Sequence, residues 1–138
     1  MIIDFHTHVH PPREQARPIW QGKCPATIEN VLRVHEAHGL DLSVISSAGH
    51  YLRNFSREEA VAELRDSNDY LAGLRDQNKD RVVALATSIP GGGEKHLREL
   101  ERAIDVPGPV LALWAGDDPT LADIERLPVP PLYVRQAT

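Results

Sequence analysis

Apolar and polar positions alternate from Ile2 to Val9, with Ile3, Phe5, Thr7 and Val9 on one side and Asp4, His6, His8 and His10 on the other. Alternation with period two predicts a β-strand. Pro11-Pro12 removes two backbone donors and ends it. Residues 13 to 25 then form a polar loop around Trp20, long for a plain connection, and loops of that length in compact domains often carry function. From Thr27 the residues Ile28, Val31, Leu32 and His35 keep helical spacing until Gly39, which suits the position just past a helix end. Leu42-Ser43-Val44-Ile45-Ser46 reads as a second strand.

Ser56-Arg57-Glu58-Glu59 has the form of a capping box, in which the serine accepts from the amide three residues on and Glu59 reaches back to the cap. A long helix is expected after it, with Ala60, Val61, Leu64, Asn68, Leu71 and Leu74 or Arg75 on its stripe. Val82-Val83-Ala84-Leu85-Ala86 is a third strand of the fully buried type, and Ile89 to Gly93 its exit turn. A further helix from about Glu94 to Ile104 carries Leu97, Leu100 and Ile104, and Val110 to Trp114 makes a fourth strand. Thr120 to Leu127 reads as one short helix before Pro128 to Pro131 and the stretch Leu132-Tyr133-Val134. Strands alternating with helices of this length predict an α/β fold with right-handed crossovers and a parallel sheet, either doubly wound or barrel.

Composition narrows the function class. A chain of 138 residues has the length of one domain with a real core, and no internal repeat divides it. The net charge of −5, with no Lys/Arg run interleaved with aromatics, argues against nucleic acid as a partner. No apolar stretch approaches the roughly 20 residues that span a bilayer, and the start lacks the basic and apolar regions of a signal peptide, so no membrane partner and a cytoplasmic location are the expectation. Cys24 is the single cysteine and reads as a reduced loop residue.

The histidines bring in chemistry. His6 and His8, two apart on a strand, leave one face with Cα atoms about 6.5 to 7 Å apart, so their rings can converge on one ion. Zinc-type metals take nitrogen ligands at about 2.0 to 2.1 Å, and a catalytic site normally has three protein ligands and an open position. The pair is therefore part of a shell. By spacing alone a His-x-His pair is a weak signal, but this one ends a strand, where parallel α/β barrels place their chemistry. Asp4 either orients one of the rings or serves as a turn-capping carboxylate.

Asp4-x-His6-x-His8 on an opening strand resembles the mark of the amidohydrolase superfamily. Asn68 to Leu74 followed by Asp80-Arg81-Val82 to Pro90, together with Gly39 to Ser46, is similar to the amidohydrolase-related branch that includes aminocarboxymuconate semialdehyde decarboxylase. The resemblance covers roughly residues 1 to 104, leaving 105 to 138 as a divergent Pro-rich tail of the same single domain. It implies an incomplete TIM-type (β/α) barrel of about four to five parallel strands with crossover helices, since a full barrel needs at least about 200 residues. It also implies a metal-dependent hydrolase or decarboxylase, truncated or frame-altered, acting on a small carboxylated or cyclic molecule. His6 and His8 would be ligands of a divalent metal, zinc first and manganese as the alternative. The family's later ligands find no place in this chain, and Arg135, which follows a short apolar stretch much as the fifth-strand histidine would, cannot ligate an ion.

For the other polar residues a plain role competes with a functional one. His10 reads as a solvent-exposed neighbour or a substrate contact, His35 and His38 as structural residues of a helix, and His96 as exposed. His50, Tyr51 and Arg53 follow the second strand, and Arg53 either pairs with a substrate carboxylate or is solvated loop surface. Two other classes compete with the enzyme. One is a catalytically inactive half barrel, a binding or subunit-complementing module that self-associates through an open sheet edge. The other is a complete small doubly wound domain with incidental histidines, in which Gly91-Gly92-Gly93 lacks the Lys-Ser/Thr of a phosphate loop.

Overall fold

The computed structural model of the chain describes residues 1–18, 21, 26–47, 55–88, 93–104 and 111–112. Its elements are β1 (Ile3–His8), α1 (Pro12–Gln15), α2 (Ile28–His38), β2 (Leu42–Ser46), α3 (Arg57–Gln77), β3 (Val82–Ala86), α4 (Glu94–Ile104) and β4 (Leu111–Ala112). The periodicity anticipates all of these except α1. A proline suits the first helical position, where its missing N–H would have no helical partner, so Pro12 starts a turn of helix directly after Pro11 has ended the strand. Readings placed on Trp20, Cys24, residues 89–92 and residues 113–138, Arg135 included, lie outside the described residues.

The helix ends follow from local chemistry. Thr27 caps α2 by accepting from the Asn30 amide, and Gly39 closes it at φ 65°, a left-handed conformation that costs glycine little. Ser56 and Glu59 form the full reciprocal capping box at the start of α3. No helix among the described residues is long and apolar enough to cross a membrane.

All strands are parallel and lie in the order β1-β2-β3-β4. Among the described residues each strand neighbours its predecessor, without the reversal of order that defines the switch point of a doubly wound sheet. Ile45, Val82 and Ala84 from the sheet cluster with Val9, with Ile28 and Val31 of α2, and with Leu71 and Leu74 of α3. Side chains alternate along a strand, so Val44 and Ser46 point away from these helices.

The register of β1 against β2 contains one irregularity. Ile3 pairs with Leu42 and Asp4 with Ser43, but the next partners are Thr7 with Ile45 and His8 with Ser46. β1 thus has one residue more than β2 over this span, a bulge that breaks the simple alternation. Directly paired residues share a face, which puts Asp4 and Thr7 on the helix-covered side with Ser43 and Ile45. His8 lies on the other side with Ser46. The single face expected for Asp4, His6 and His8 is therefore corrected for Asp4.

On the helix-covered side His35 of α2 meets Ser43 of β2, Nε2 to Oγ at 2.6 Å, with 2% and 0% of the two residues exposed. Burial, and secondarily the Arg81 charge, hold the imidazole below its ordinary value of 6.5, and Asp4 and Asp41 offset this only in part. The fold therefore favours neutral His35. The unfolded chain binds the proton more readily, so this stability is fully present above about 6.5 and is lost as pH falls from there toward the folded-state value. Thermal melts between about pH 7.5 and 5 are expected to show a steeper loss of Tm in the native chain than in His35→Asn, which keeps a polar partner for Ser43 without titrating here. Parallel slopes would refute the assignment.

Candidate metal centre at the carboxyl ends of the strands

The bulge and the end of β1 bring two imidazoles together. His6 Nε2 and His8 Nε2 lie 3.2 Å apart, with ring centroids separated by 4.9 Å and planes at 83°. Both residues are exposed. Two nitrogens bound to one tetrahedral ion at about 2.0 to 2.1 Å stand about 3.3 Å from each other, so the observed spacing fits two corners of such a shell. Among the described residues no group of three His, Cys, Asp or Glu side chains gathers to complete one.

The surroundings of His8 are ordered by strand pairing. Its Nδ1 lies 3.1 Å from Ser46 Oγ, and the Val9 amide donates to the Ser46 carbonyl at 2.9 Å, extending the ladder one residue past β1. That extension carries His10 inward before Pro11 turns the chain. His10 is 2% exposed, its ring stacks on His8 at 9° and 6.4 Å, and its Nδ1 lies 3.4 Å from Ser47 Oγ. The solvent-exposed reading of His10 is thereby corrected. Asp4 takes the capping role: its carboxylate accepts from the Thr7 hydroxyl and from the His6 amide within the bulge.

A second polar group ties the end of β3 to the same rim. The Thr87 hydroxyl donates to the Ser47 carbonyl at 3.1 Å, so the chain just past β2 and β3 is joined side by side. Asn68 of α3 then holds Thr87 from behind, accepting from its amide at 2.8 Å and donating to its carbonyl at 3.2 Å. The same Asn68 amide donates to Glu99 of α4 at 3.2 Å, and Arg102 grips Glu99 through two nitrogens at 2.8 Å and Asp69 at 2.7 Å. Asn68 and Glu99 are buried. The Glu99 carboxylate, with Asp69 added, raises the Arg102 guanidinium above its ordinary value despite partial burial.

The periodicity assigns Asn68 to the helix stripe but not to a junction, and it misses Glu99, Ser46 and Thr87. His96 is corrected as well, being 3% exposed instead of at the surface. The signal was present: His96, Leu100 and Ile104 recur at steps of four along one helix face, and all three are buried. His35 is structural as expected, and His38 is exposed in the last turn of α2. His50, Tyr51 and Arg53 lie outside the described residues.

This is a parallel α/β sheet with a histidine pair at the carboxyl end of its first strand. No family model and no curated protein matches the chain. Solved structures do, among them proteins named as decarboxylases and as amidohydrolases. The 2,6-dihydroxybenzoate decarboxylase from Rhizobium aligns with a TM-score of 0.68 at 24% identity, over 83% of this chain and 38% of its own. The 5-carboxyvanillate decarboxylase from Sphingomonas paucimobilis aligns with a TM-score of 0.67 at 17% identity, over 84% of this chain and 43% of its own. A protein described as an amidohydrolase from Staphylococcus aureus gives 0.66 at 23% identity, over 83% and 37%. The chain has their fold across the span it shares with them, and that span is about two fifths of their length.

Replacing Asn68 by Ala leaves the Thr87 amide and the buried Glu99 oxygen short of a partner at the rim. The expected cost is about 1 to 3 kcal/mol, that of orphaning a buried polar group. It is read as a lower urea midpoint at unchanged slope, and a midpoint equal to that of the native chain would show that the junction contributes nothing.

Proposed function

We propose that this chain forms part of a TIM-type barrel of the amidohydrolase-related kind, a metal-dependent hydrolase or decarboxylase acting on a small carboxylated or cyclic substrate. His6 and His8 are then two of its protein ligands. The observation that carries this reading is the 3.2 Å approach of the two Nε2 atoms at the carboxyl end of a parallel strand, where barrels assemble their chemistry. The unreversed strand order supports the barrel, because right-handed crossovers repeated in one direction keep their helices on one face and curl the sheet.

When bound, a divalent ion, zinc first and manganese as the alternative, lowers the pKa of a water to about 7 and polarises a substrate oxygen. The chain's own residues do the positioning. His8 is held beside Ser46 of the paired strand, the ring of buried His10 stacks on it, and Arg53 is assigned to the substrate carboxylate by bidentate pairing.

A specific observation favours a second reading. β1 is an edge of the described sheet; Ile3 and Phe5 on it are 45% and 48% exposed, and Met1 and Ile2 just before it 96% and 55%. An open, partly apolar edge is a template for pairing, as a catalytically inactive module complementing another subunit or a second copy would need.

Elemental analysis of the dialysed protein beside its sedimentation behaviour separates the two. The enzyme reading expects near-stoichiometric zinc or manganese that His6→Ala and His8→Ala each abolish, and absence of metal after supplementation would end it. The module reading expects substoichiometric metal and an assembly that Phe5→Lys dissociates; a metal-loaded monomer would rule it out.

A further inference from the structure

We propose that Ser46 is the positioning residue of this site: its hydroxyl oxygen accepts a hydrogen bond from His8 Nδ1–H, keeping the lone pair of His8 on Nε2 and its ring aimed at His6. The proposal rests on the reading of His6 and His8 as metal ligands and goes beyond it by naming what orients one of them.

Three observations support it. His8 and Ser46 are direct partners in the β1–β2 register, on the face away from the helices. The Ser46 backbone is locked there by the Val9 amide at 2.9 Å, and the residue is 5% exposed, so its hydroxyl is a fixed object against which an exposed ring can settle. The Nδ1 to Oγ distance is 3.1 Å, while the opposite ring nitrogen, Nε2, is the one facing His6 at 3.2 Å.

Proton placement follows from these contacts. With Nδ1–H donating to Ser46, His8 Nε2 carries the lone pair on the side that faces His6. The reverse placement, with the serine hydroxyl donating and His8 Nε2 carrying the proton, would block the nitrogen that a metal needs. The hydrogen bond made by one ring nitrogen sets which nitrogen is left to coordinate, and partners of this kind hold ligand rings in metal sites generally.

Two measurements on the 138-residue chain test this. In the metal-free protein, the imidazole 15N shifts of His8 are expected to report a protonated Nδ1, and Ser46→Ala to shift the population toward protonated Nε2 while Ser46→Thr retains the native pattern. In zinc titrations against a chromophoric chelator, Ser46→Ala is expected to weaken binding about ten- to a hundredfold and Ser46→Thr to bind as the native chain does. A native His8 protonated at Nε2, or a Ser46→Ala chain with native zinc affinity, would overturn the proposal. If Ser46→Ala does not fold, the proton placement in the native chain decides alone. Zinc binding that His6→Ala and His8→Ala leave unchanged would instead refute the ligand reading, and the nitrogen shifts would still decide the serine contact.

Discussion

The register between β1 and β2 determines where the polar groups at the carboxyl end of the sheet come to lie. Two residues of β1, Phe5 and His6, run beside one of β2, Val44, between the Asp4–Ser43 and Thr7–Ile45 pairs, and the side chains before and after that point change faces. A slip of one residue in a strand moves its whole set of side chains to the opposite face. The bulge is a controlled form of that slip. It lets Asp4 turn to the Thr7 hydroxyl and the His6 amide on the helix-covered side, while His8 emerges beside Ser46 on the free side. Without it the carboxylate and the imidazole would compete for one face, and the carboxylate is the group with stronger claims on nearby donors.

Beyond the bulge the rim is held by groups that satisfy one another. Thr87 bonds sideways to Ser47, Asn68 closes on Thr87 from the helix layer, and Glu99 and Arg102 complete the junction between α3 and α4. Buried polar groups cost free energy unless paired, so such a junction stabilises only when all its members are present. Its effect is to make the ends of β2 and β3 one piece with the helices behind them. That rigidity reaches His8 through Ser46, one residue before Ser47, and is suited to a site that needs two ring nitrogens held a fixed distance apart.

Much of this was legible in the chain. Hydrophobic periodicity and capping residues locate the strands and long helices because both depend on nearest neighbours, and Thr27, Ser56 and Gly39 act where local chemistry places them. His6 and His8 were legible as a pair for the same reason. The bulge was not, since it arises from the partner strand's register and the sequence of β1 alternates without interruption. The expectations for His10 and His96 fail because burial depends on what lies across from a residue: Ser47 and the extended ladder bury His10, and His96 lies on the buried face of α4 with Leu100 and Ile104. Asn68 showed as an apolar-stripe position occupied by an amide. That conflict between pattern and residue type marks a side chain with a tertiary partner.

The remaining constraint links packing to chemistry. β1 carries both histidines and is also the strand with Ile3 and Phe5 about half exposed and no neighbour on its outer side among the described residues. A chain segment that pairs with that edge runs about 4.8 Å from β1, within side-chain reach of His6 and His8. The element that covers the apolar surface and the element able to supply a further ligand or a substrate contact are therefore drawn from the same place in space. The neighbours that share this fold extend over more than twice the length aligned here. In the proposed barrel, completing the core and completing the metal shell are then one structural event, and a partner that merely buried Ile3 and Phe5 would set its own residues beside a half-built site.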